Sequence, residues 1–559
     1  MLQTQQTQTV FLNDFSGDVM ARLHAAGDYL REHPGTTLVI DAGEYIIGDK
    51  RSRQIREDVF NGVYGFNPQP TMFSPHFSYT KGLDLTHCQD VRIEAWGAVF
   101  LIDGYMEPIT ISHAKNVTLC GLTIDHLVKP FCRAWVEEVE DGGVGILRFD
   151  PHTPPRLSMS APRIMTFHGK TGYLSGRFHG WDAKKEALDE TGLRYRLHGG
   201  FLPEEVGDEL YFCTTYHFRP AVLISHSENT CLQDVTIHNH PGMGITGFAS
   251  HDICLRGLHI VPSPGYRVST NTDATHFASC SGTIRVEHSV FIGHGDDAIN
   301  VHNYYYYFLP TSAPEYPGQL DETSAVIHVV TPDGTHTQEP DVPQVGHVLR
   351  LLDKRTLALI DTYTVCQTEC LNEAGDICRV TLDHALPQGN TAHYMFENDS
   401  QVAALSFCYN RVSNHLARSV LCKTRHALIA NNFFDRCTGS AVHIAAEPNW
   451  GEALATEDVT VENNVFQNCG FCSYGRTYGA SAVSVNVAAE SPTAVGLHRH
   501  IVIRNNTVQC PPDASCAFFV SNAADVSVQN NQCTGCDFDL LVQYSEEVKT
   551  DCKTQYIDN

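Results

Sequence analysis

The sequence predicts an all-β protein built as a right-handed single-stranded parallel β-helix with two small inserted β-barrel or β-sandwich domains. Three observations predict this fold. A short pattern recurs in which a polar residue is followed by alternating apolar positions and then by a small or asparagine-rich corner. Uninterrupted copies are about 23 to 26 residues apart, within the range of solenoid repeats. Two stretches of about 90 residues break the pattern with short, alternating, antiparallel-looking strands.

Each copy of the repeat contains two very short strands joined by a turn of Asn or Gly, which tolerate a left-handed backbone. A single copy cannot bury its own apolar face, whereas stacked copies form a continuous core. The corner asparagines predict Asn ladders along the stack. Copies include DVRIEAWGAVFL from Asp90, NVTLCGLTID from Asn116, DICLRGLHIV from Asp252, HALIANNFFDRC from His426 and DVTVENNVFQNC from Asp458.

The chain before the first repeat is predicted to form a helix. Residues Asp18 to Arg31 have helical periodicity, and Pro34 follows where a helix should end. GTTLVIDAGEYIIG then predicts the first pair of strands. A helix over the open end of the first coil would protect its edge strands from pairing with another chain.

The interruptions divide the chain into five predicted segments. We expect a cap and first coils over 1–127, an inserted β-barrel over 128–219, coils over 220–306, a second inserted β-barrel over 307–399, and C-terminal coils over 400–559. Insertions on one face of a solenoid usually mark its binding face. Both inserted domains are therefore expected to lie beside the same groove.

Composition limits the partners and the compartment. The formal net charge of −26 disfavours nucleic acid and anionic membranes as partners. No apolar run approaches the ~20 residues that cross a bilayer, and the N-terminus has neither the basic nor the apolar region of a secretory signal. The 20 cysteines show no two CxxC motifs at the spacing of a zinc site, and several occupy strand positions. They predict reduced core cysteines in a cytoplasmic protein.

Three aspartates form the strongest chemical signal. Asn271-Thr272-Asp273 is followed by Gly295-Asp296-Asp297, and 23 positions separate Asp273 from Asp296, about one coil. This spacing predicts three carboxylates stacked on adjacent coils. Such crowding costs stability because like charges in a partly desolvated cleft repel each other. Glycosidic hydrolysis uses it, with one carboxyl protonated as general acid and another ionised as general base. Turn formation or calcium binding is the alternative interpretation.

The residues around the aspartates favour a sugar site. His294, His302 and the run Tyr304–Tyr307 supply aromatic and hydrogen-bonding groups. Some of the four tyrosines must be structural, because alternate residues of a strand point to opposite faces.

Asn-Thr-Asp, one coil, and then Gly-Asp-Asp resembles the catalytic pattern of polygalacturonase-like β-helix hydrolases. The longer string HGDDAINVH, with two inserted barrels, is similar to glycoside hydrolase family 110, the α-1,3-galactosidases, over most of the chain. The resemblance implies an inverting exo-hydrolase without metal or cofactor that removes terminal α-linked galactose from blood-group-B-type or linear α-1,3-galactosyl glycans. The implied partner is an oligosaccharide or glycoconjugate with terminal galactose, and a homodimer is left open.

The resemblance also implies roles for the aspartates. Asp296 would be the general acid, while Asp273 and Asp297 would hold and deprotonate the attacking water. Stacking alone does not orient the three carboxyls, so the spacing leaves acid and base unassigned. An inverting site usually separates its acid and base by about 6.5–9.5 Å to admit that water.

Two departures disfavour galacturonan as the substrate. The Arg-x-Lys motif that grips a uronate has no clear copy, and Lys423-Thr424-Arg425 is only a loose echo of it. The Gly-His-Gly that should follow the aspartate pair here precedes it, at Gly293–Gly295.

The second half of the chain supplies further candidates for substrate binding. Trp450 could stack on the apolar face of a galactose, with Arg418 and Glu447 bonding its hydroxyls. For each of these the alternative is a surface salt bridge or a loop anchor, and His443 is predicted to be a packed core histidine. Met106 and Glu107 are weaker candidates for the groove. The full predicted substrate-binding set is Asn271, His294, His302, Tyr304, Arg418, Lys423, Glu447, Trp450 and Glu452.

Three other functions are kept as alternatives. One is a β-helix glycosidase acting on another sugar. A polysaccharide lyase would need a basic cluster, and the sequence shows none beside the acids. A non-catalytic glycan-binding solenoid would need no stacked acid trio. An unsaturated product absorbing near ~235 nm would identify the lyase.

Overall fold

Three long parallel β-sheets wrap around one continuous apolar core. The computed structural model describes residues 8–557, except positions 66, 75, 141–143, 156–162, 179–183, 199–204, 216, 319, 331–339, 390 and 473–478. Each coil of the chain contributes one strand to each sheet in turn, and the strands pair in parallel with those of the neighbouring coils. The predicted all-β fold with parallel sheets is confirmed.

Sheet 1 has 13 strands, and they follow one another in the sheet in the order of the chain. Its apolar positions lie in register, so that Leu119, Leu232, Leu255 and Val286 stack on one another inside the core. The strands are Gln8–Phe11, Thr36–Val39, Gln89–Glu94, Lys115–Cys120, Glu228–Gln233, His251–Arg256, Ser281–Glu287, Ala403–Cys408, Arg425–Ala430, Glu457–Glu462, His498–Arg504, Ala523–Gln529 and Glu546–Thr550.

Sheet 2 has 11 strands, each of them only two to five residues long. It forms the second half of each repeat, after the asparagine or glycine corner. The strands are Gly43–Ile47, Ala98–Ile102, Thr123–His126, Thr236–Ile237, His259–Ile260, Val290–Ile292, Arg411–His415, Phe433–Cys437, Val465–Gln467, Thr507–Gln509 and Gln532–Thr534.

Sheet 3 carries the aspartates and the insertions. Its outward face is polar over the middle coils, whereas its inward face joins the common core. The strands are Lys81–Asp84, Glu107–Ser112, Val222–Ser225, Ile245–Phe248, Thr275–Ala278, Ile299–Phe308, Val420–Cys422, Val442–Ala446, Ala480–Val487, Cys516–Ser521, Phe538–Gln543 and Thr554–Tyr556.

The corner between sheets 1 and 2 contains the predicted Asn ladder. The side-chain oxygen of Asn432 accepts from the backbone N–H of Asn410 at 2.8 Å, and that of Asn464 accepts from the N–H of Asn432 at 2.9 Å. Asn506 and Asn531 continue the same contact, each at 3.0 Å. The ladder pairs buried backbone donors that the sharp corner would otherwise leave unsatisfied.

A helix caps the N-terminal end of the core. It spans Val19–Glu32, and the Asp18 side chain accepts from the N–H of Ala21 as an N-cap. The predicted helix is therefore confirmed. The strand Gln8–Phe11 before it and the helices Lys50–Phe60 and Gln69–Met72 were not predicted. Among the described residues, no helix has both the length and the apolar character needed to cross a bilayer.

The first interruption forms an antiparallel sheet of seven strands between Phe131 and Cys213. The described strands pair in an open order, with the first strand at the centre between the second strand and the last. The strands are Phe131–Glu140, Val144–Phe149, Arg163–Phe167, Leu174–Phe178, Lys184–Ala187, Arg194–His198 and Glu209–Cys213.

The second interruption begins inside a strand of sheet 3. Ile299–Phe308 starts in the solenoid and ends in the insertion, where it pairs with the first and the last of the inserted strands. Together the six strands pair in a closed ring. The five inserted strands are Ser324–His328, Val348–Asp353, Leu359–Cys370, Ile377–Leu382 and Tyr394–Asn398. The structure contains no disulfide among the 20 cysteines, all of which lie in the described part of the chain.

Candidate functional site

The three aspartates meet at the start of two neighbouring strands of sheet 3. Asp273 precedes Thr275–Ala278, and Asp296 and Asp297 precede Ile299–Phe308. These strands pair in parallel in a register that places Asp273 beside Asp297. One carboxylate oxygen from each of the three lies within 4.8 Å of the others.

Two arginines contact the aspartate pair. The Arg163 guanidinium donates to Asp296 Oδ2 at 2.6 Å. Arg418 donates twice to Asp297, through its backbone N–H to Oδ1 at 2.8 Å and through its guanidinium to Oδ2 at 2.9 Å. The sequence shows no basic cluster beside the acids, and of these two arginines only Arg418 was a predicted site residue. The two arginines come from distant segments, so no local sequence cluster shows them.

The electrostatics favour a retained proton in the cluster. Burial raises the pKa of Asp296 above that of an ordinary carboxyl; Arg163 lowers it and Asp273 raises it, and the net change is upward. Burial also raises the pKa of Asp297 well above its ordinary range; Arg418 opposes this, while both neighbouring aspartates add to it. A carboxyl with a raised pKa holds its proton more readily, as a general acid must.

Arg163 connects the first insertion to the site. It begins the strand Arg163–Phe167 and its side chain is fully buried. Besides Asp296 it donates to the backbone carbonyl of Asn271 at 2.5 Å. The Asn271 side chain in turn donates to the carbonyl of Pro130 at 3.1 Å. The first insertion thus holds the backbone beside the aspartates in place. Of Arg163 and Asn271, only Asn271 was a predicted site residue.

Asp273 contacts one buried histidine, which in turn contacts a second. His276 Nδ1 lies 2.7 Å from Asp273 Oδ2, and His276 Nε2 lies 2.8 Å from His302 Nε2. His302 Nδ1 lies 2.8 Å from the carbonyl oxygen of Asn303. Burial lowers the pKa of His302 to about 4, although nearby Glu452 raises it. His302 was a predicted site residue, whereas His276 was not.

Lys423 lies between two predicted glutamates. Its ammonium group is fully buried, 2.8 Å from Glu447 Oε2, and it also donates to Glu452 Oε2. Burial raises the pKa of Glu447, but Lys423 and Arg418 outweigh that effect and hold the pKa at about 2. Asn300, the register partner of His276, donates to Glu452 at 3.3 Å.

The loop that carries the glutamates is attached to the aspartate-bearing strand. Glu452–Ala453 pairs antiparallel with Ile299–Phe308, with Glu452 opposite Tyr304. The pairing places this loop and Lys423 on the same outward face of sheet 3 as the aspartates. The structure therefore brings together candidates from four successive coils, whose strands in sheet 3 pair one after another.

The other predicted residues are placed less directly. Tyr304 is fully buried against Phe248 and Ala278, so its ring presents no surface to a ligand in this structure. Trp450 is 45% exposed, in the short helical turn Pro448–Trp450. His294 is fully buried, stacked on His415 with ring centres 4.0 Å apart.

The two weaker candidates and His443 are held by structural contacts. His443, predicted to be a packed histidine, is buried and lies 2.6 Å from Asn486 Oδ1. Met106 is fully buried, and buried Glu107 pairs with Arg219 at 2.7 Å. These contacts match packing and a buried ion pair rather than an open groove.

Two groups of described residues bring three ligand atoms within 4.8 Å of one another, as a metal site would. They are the aspartate trio and the set His276, His302 and Glu452. In both groups a lysine or arginine already contacts a carboxylate, which opposes a divalent cation.

Sequence reasoning missed Arg163 and His276. Arg163 lies in the strand RIMTF, which carries no chemical motif of its own. His276 had a usable signal, because it lies three residues after Asp273 and in register with Asn300 of the next coil.

Comparison with known proteins agrees with the resemblance to α-1,3-galactosidases. No family model matches the chain. It is 25% identical over 557 residues to alpha-1,3-galactosidase B of Bacteroides thetaiotaomicron, covering 90% of this chain and 82% of that protein. It is 26% identical to alpha-1,3-galactosidase B of Akkermansia muciniphila, with 80% of this chain and 58% of that protein covered. Alpha-1,3-galactosidase A of Shewanella woodyi is 23% identical, with 88% and 79% covered.

Solved structures similar to the chain include the A-module of a mannuronan C-5 epimerase from Azotobacter vinelandii, with a TM-score of 0.40 and 12% identity over 98% of this chain and 100% of that chain. An alpha-1,3-glucanase catalytic unit from Streptomyces thermodiastaticus has a TM-score of 0.37 and 10% identity, covering 99% and 69%. The resemblance seen in the sequence is confirmed by the curated relatives: the chain is a distant homologue, over most of its length, of proteins named alpha-1,3-galactosidase.

Proposed function

We propose that the protein is an inverting exo-glycoside hydrolase that removes terminal α-1,3-linked galactose from glycans. The observation that carries the proposal is the close-packed trio of Asp273, Asp296 and Asp297 in a homologue of α-1,3-galactosidases. The trio supplies a carboxyl with a raised pKa beside other carboxylates, which is what general acid and base catalysis of glycoside cleavage requires.

The contacts support a division of roles. Asp297 accepts two hydrogen bonds from Arg418, which orient it and oppose the rise in its pKa that burial and the neighbouring aspartates cause. Asp296 is the most exposed of the three and is the proposed general acid. Asp273 and Asp297 would then hold and deprotonate the attacking water.

Inversion is proposed from the resemblance to the family and not from the separation of the carboxylates. The carboxylate oxygens come within 4.8 Å, which is closer than the ~6.5–9.5 Å usual for inverting pairs. Distance alone therefore does not select inversion, and the resemblance to the family carries it.

Residues around the trio would recognise the hydroxyl groups of galactose. Glu447 and Glu452 are held ionised by Lys423, and both lie on the loop facing the aspartates. Buried polar groups of this kind discriminate strongly, because a sugar lacking the matching hydroxyl leaves them unpaired. Trp450 is proposed to stack on the sugar from the exposed end of that loop.

The fold invites one further structural proposal. We infer that the coils wind right-handed, because parallel strands joined by a crossover are right-handed in ~98% of cases. The two insertions are proposed to be separate small β-domains walling the groove, supported by their own apolar clusters.

A substrate panel tests the activity. The protein is incubated with terminal α-1,3-, α-1,4- and α-1,6-galactosides, with the Asp296→Asn variant as the blank. We expect galactose release from the α-1,3-galactoside by the wild type and at least a ~10²-fold slower release by the variant. Equal release by both proteins, or none from any galactoside, would reject the proposal.

A leaving-group comparison tests the roles. An aryl galactoside has a good leaving group and needs little help from an acid, whereas a disaccharide needs protonation. Asp296→Asn should therefore lose much less activity on the aryl substrate than on the disaccharide. Asp297→Asn should lose similar activity on both, and the reverse pattern would exchange the two roles.

A further inference from the structure

A buried chain of hydrogen bonds ends at Asp273. It runs from the Asp273 carboxylate through His276 and His302 to the carbonyl oxygen of Asn303, with contacts of 2.7, 2.8 and 2.8 Å. His276 is 6% exposed and His302 is 2% exposed. Each histidine uses both of its ring nitrogens in this chain.

The acceptor at the far end sets the proton on His302. A carbonyl oxygen can only accept, so His302 Nδ1 must carry the proton that it donates to Asn303. Burial, which lowers the pKa of His302 to about 4, keeps this ring neutral near neutral pH. The other nitrogen, Nε2, is then bare and must accept from His276 Nε2–H.

That requirement leaves His276 and Asp273 with one proton to share. His276 Nε2 is already protonated, so its Nδ1 either donates to an ionised Asp273 or accepts from a protonated one. The first state pairs an imidazolium with a carboxylate, and the second pairs two neutral groups.

The charges around the trio favour the first state. Asp296 is paired with Arg163 and Asp297 with Arg418. Within the described part of the chain, Asp273 forms its ion pair with His276. A protonated His276 therefore gives each of the three carboxylates its own cation.

We propose that His276 is a positioning residue that carries a positive charge and keeps Asp273 ionised, so that the proton retained by the trio stays on the aspartate pair. The catalytic effect of this charge rests on the proposed hydrolase function, whereas the charge itself is inferred from the hydrogen bonds alone. Without the charge on His276, repulsion from the other two carboxylates would place that proton on Asp273.

The groups facing His276 agree with this assignment. Thr246 and Asn300 flank it in register and carry no charge. Glu452 lies within reach of both histidines, and its carboxylate is neutralised by Lys423. Lys423 is itself paired with Glu447 and Glu452, so none of these groups sets an unpaired positive charge against His276.

A metal ion is the competing occupant of the His276–His302 contact. Two nitrogens bound tetrahedrally at ~2.05 Å to one zinc ion lie about 3.3 Å apart, whereas here they lie 2.8 Å apart. Lys423 on Glu452 also repels a divalent cation. A shared proton fits both observations.

Nitrogen-15 NMR of histidine-labelled protein tests the charge directly. The His276 signals are identified by their loss in His276→Asn, which keeps an amide N–H near the position of Nδ1. We expect both nitrogens to be protonated at pH 7, and one to become bare in Asp273→Asn. A bare nitrogen on His276 in the wild type would overturn the proposal. So would one equivalent of zinc that broadens or shifts both histidines.

Kinetics test the consequence. His276→Asn should lower kcat/KM about tenfold or more at neutral pH and move the acid limb of the pH profile upward, with a smaller change in KM. The matched control is His498→Asn, another buried histidine hydrogen-bonded to Thr456 and Asn486. An unmoved pH profile in a folded His276→Asn would overturn the proposed consequence. Absence of any wild-type hydrolysis would instead reject the hydrolase function and leave the NMR result standing.

Discussion

At the scale of single residues, the aspartates depend on cations from elsewhere in the chain. Asp296 keeps a carboxyl with a raised pKa although the Arg163 guanidinium lies 2.6 Å away, because burial exceeds the effect of the arginine. A substitution at Arg163 should therefore change the pKa of Asp296 without changing a contact to the substrate.

Replacement of Arg163 should shift the pH dependence of activity. Arg163→Met removes a cation that stabilises the Asp296 carboxylate, so the pKa of Asp296 should rise further. If Asp296 is the general acid, the alkaline limb of kcat/KM moves to higher pH. The lost charge-assisted bond should also lower kcat by roughly 10- to 100-fold.

The control is Arg194→Met in the same insertion, which removes only half-exposed ion pairs with Glu137 and Glu138. Its pH profile should match that of the wild type. An alkaline limb that stays in place or moves down in folded Arg163→Met would contradict the role of Asp296.

At the scale of elements, the Asn ladder shows how well the repeat could be predicted. The Asn-Asn corners of the sequence indicated the ladder because asparagine both tolerates a left-handed backbone and offers an amide to the next coil. Asn463 and Asn505 adopt positive φ of 56° each, and Asn464 and Asn506 point inward. A local property fixed each of these positions, so no tertiary knowledge was needed.

Removal of one ladder residue should destabilise the solenoid. Asn464→Ala deletes the acceptor of the Asn432 N–H and the donor to the carbonyl of Ile429. The substitution leaves the Asn432 N–H and the Ile429 carbonyl without these partners, and each buried polar group left unsatisfied costs about 1–3 kcal/mol. The free energy of unfolding should therefore fall by about 2–4 kcal/mol. Urea denaturation followed by circular dichroism measures it.

The control is Thr507→Ala. Thr507 is exposed on the neighbouring strand of sheet 2, so this substitution should change the free energy of unfolding by less than ~0.5 kcal/mol. If Asn464→Ala unfolded at the same urea concentration as this control, the ladder would not stabilise the corner.

At the scale of the whole molecule, the second insertion is attached to the solenoid through a buried carboxyl. Asp341 accepts from Ser279 of sheet 3 at 2.6 Å and from Tyr306 at 3.0 Å. Burial raises its pKa to about 6, and the two hydroxyls only partly offset this. The folded state therefore prefers the protonated form more than the unfolded chain does.

The sign of the pH effect follows from that preference. Stability from Asp341 is fully present below the unfolded pKa of about 3.9 and is lost as pH rises through about 6. Asp341→Asn mimics the protonated form, so its Tm should exceed that of the wild type at pH 8 and match it near pH 4. Exposed Glu315→Gln is the control; a lower Tm for Asp341→Asn at pH 8 would contradict this account.

The assembly of the site from distant segments limited what the sequence could predict. The stacked aspartates follow from the repeat spacing, because one coil returns the chain to the same lateral position. Arg163 reaches Asp296 across an insertion, and the sequence holds no periodicity that relates the two. The burial of Tyr304 against Phe248 and Ala278 was also hidden, since strand alternation does not say what covers each face of a sheet.

The stereochemistry of hydrolysis tests the central claim most directly. Time-resolved proton NMR of a terminal α-1,3-galactoside during hydrolysis follows the anomer of galactose before it mutarotates. The account predicts that β-galactose appears first, as water attacks from the face opposite the leaving group. If α-galactose appeared first, one of the aspartates would act as a nucleophile and the proposed acid and base roles would be wrong.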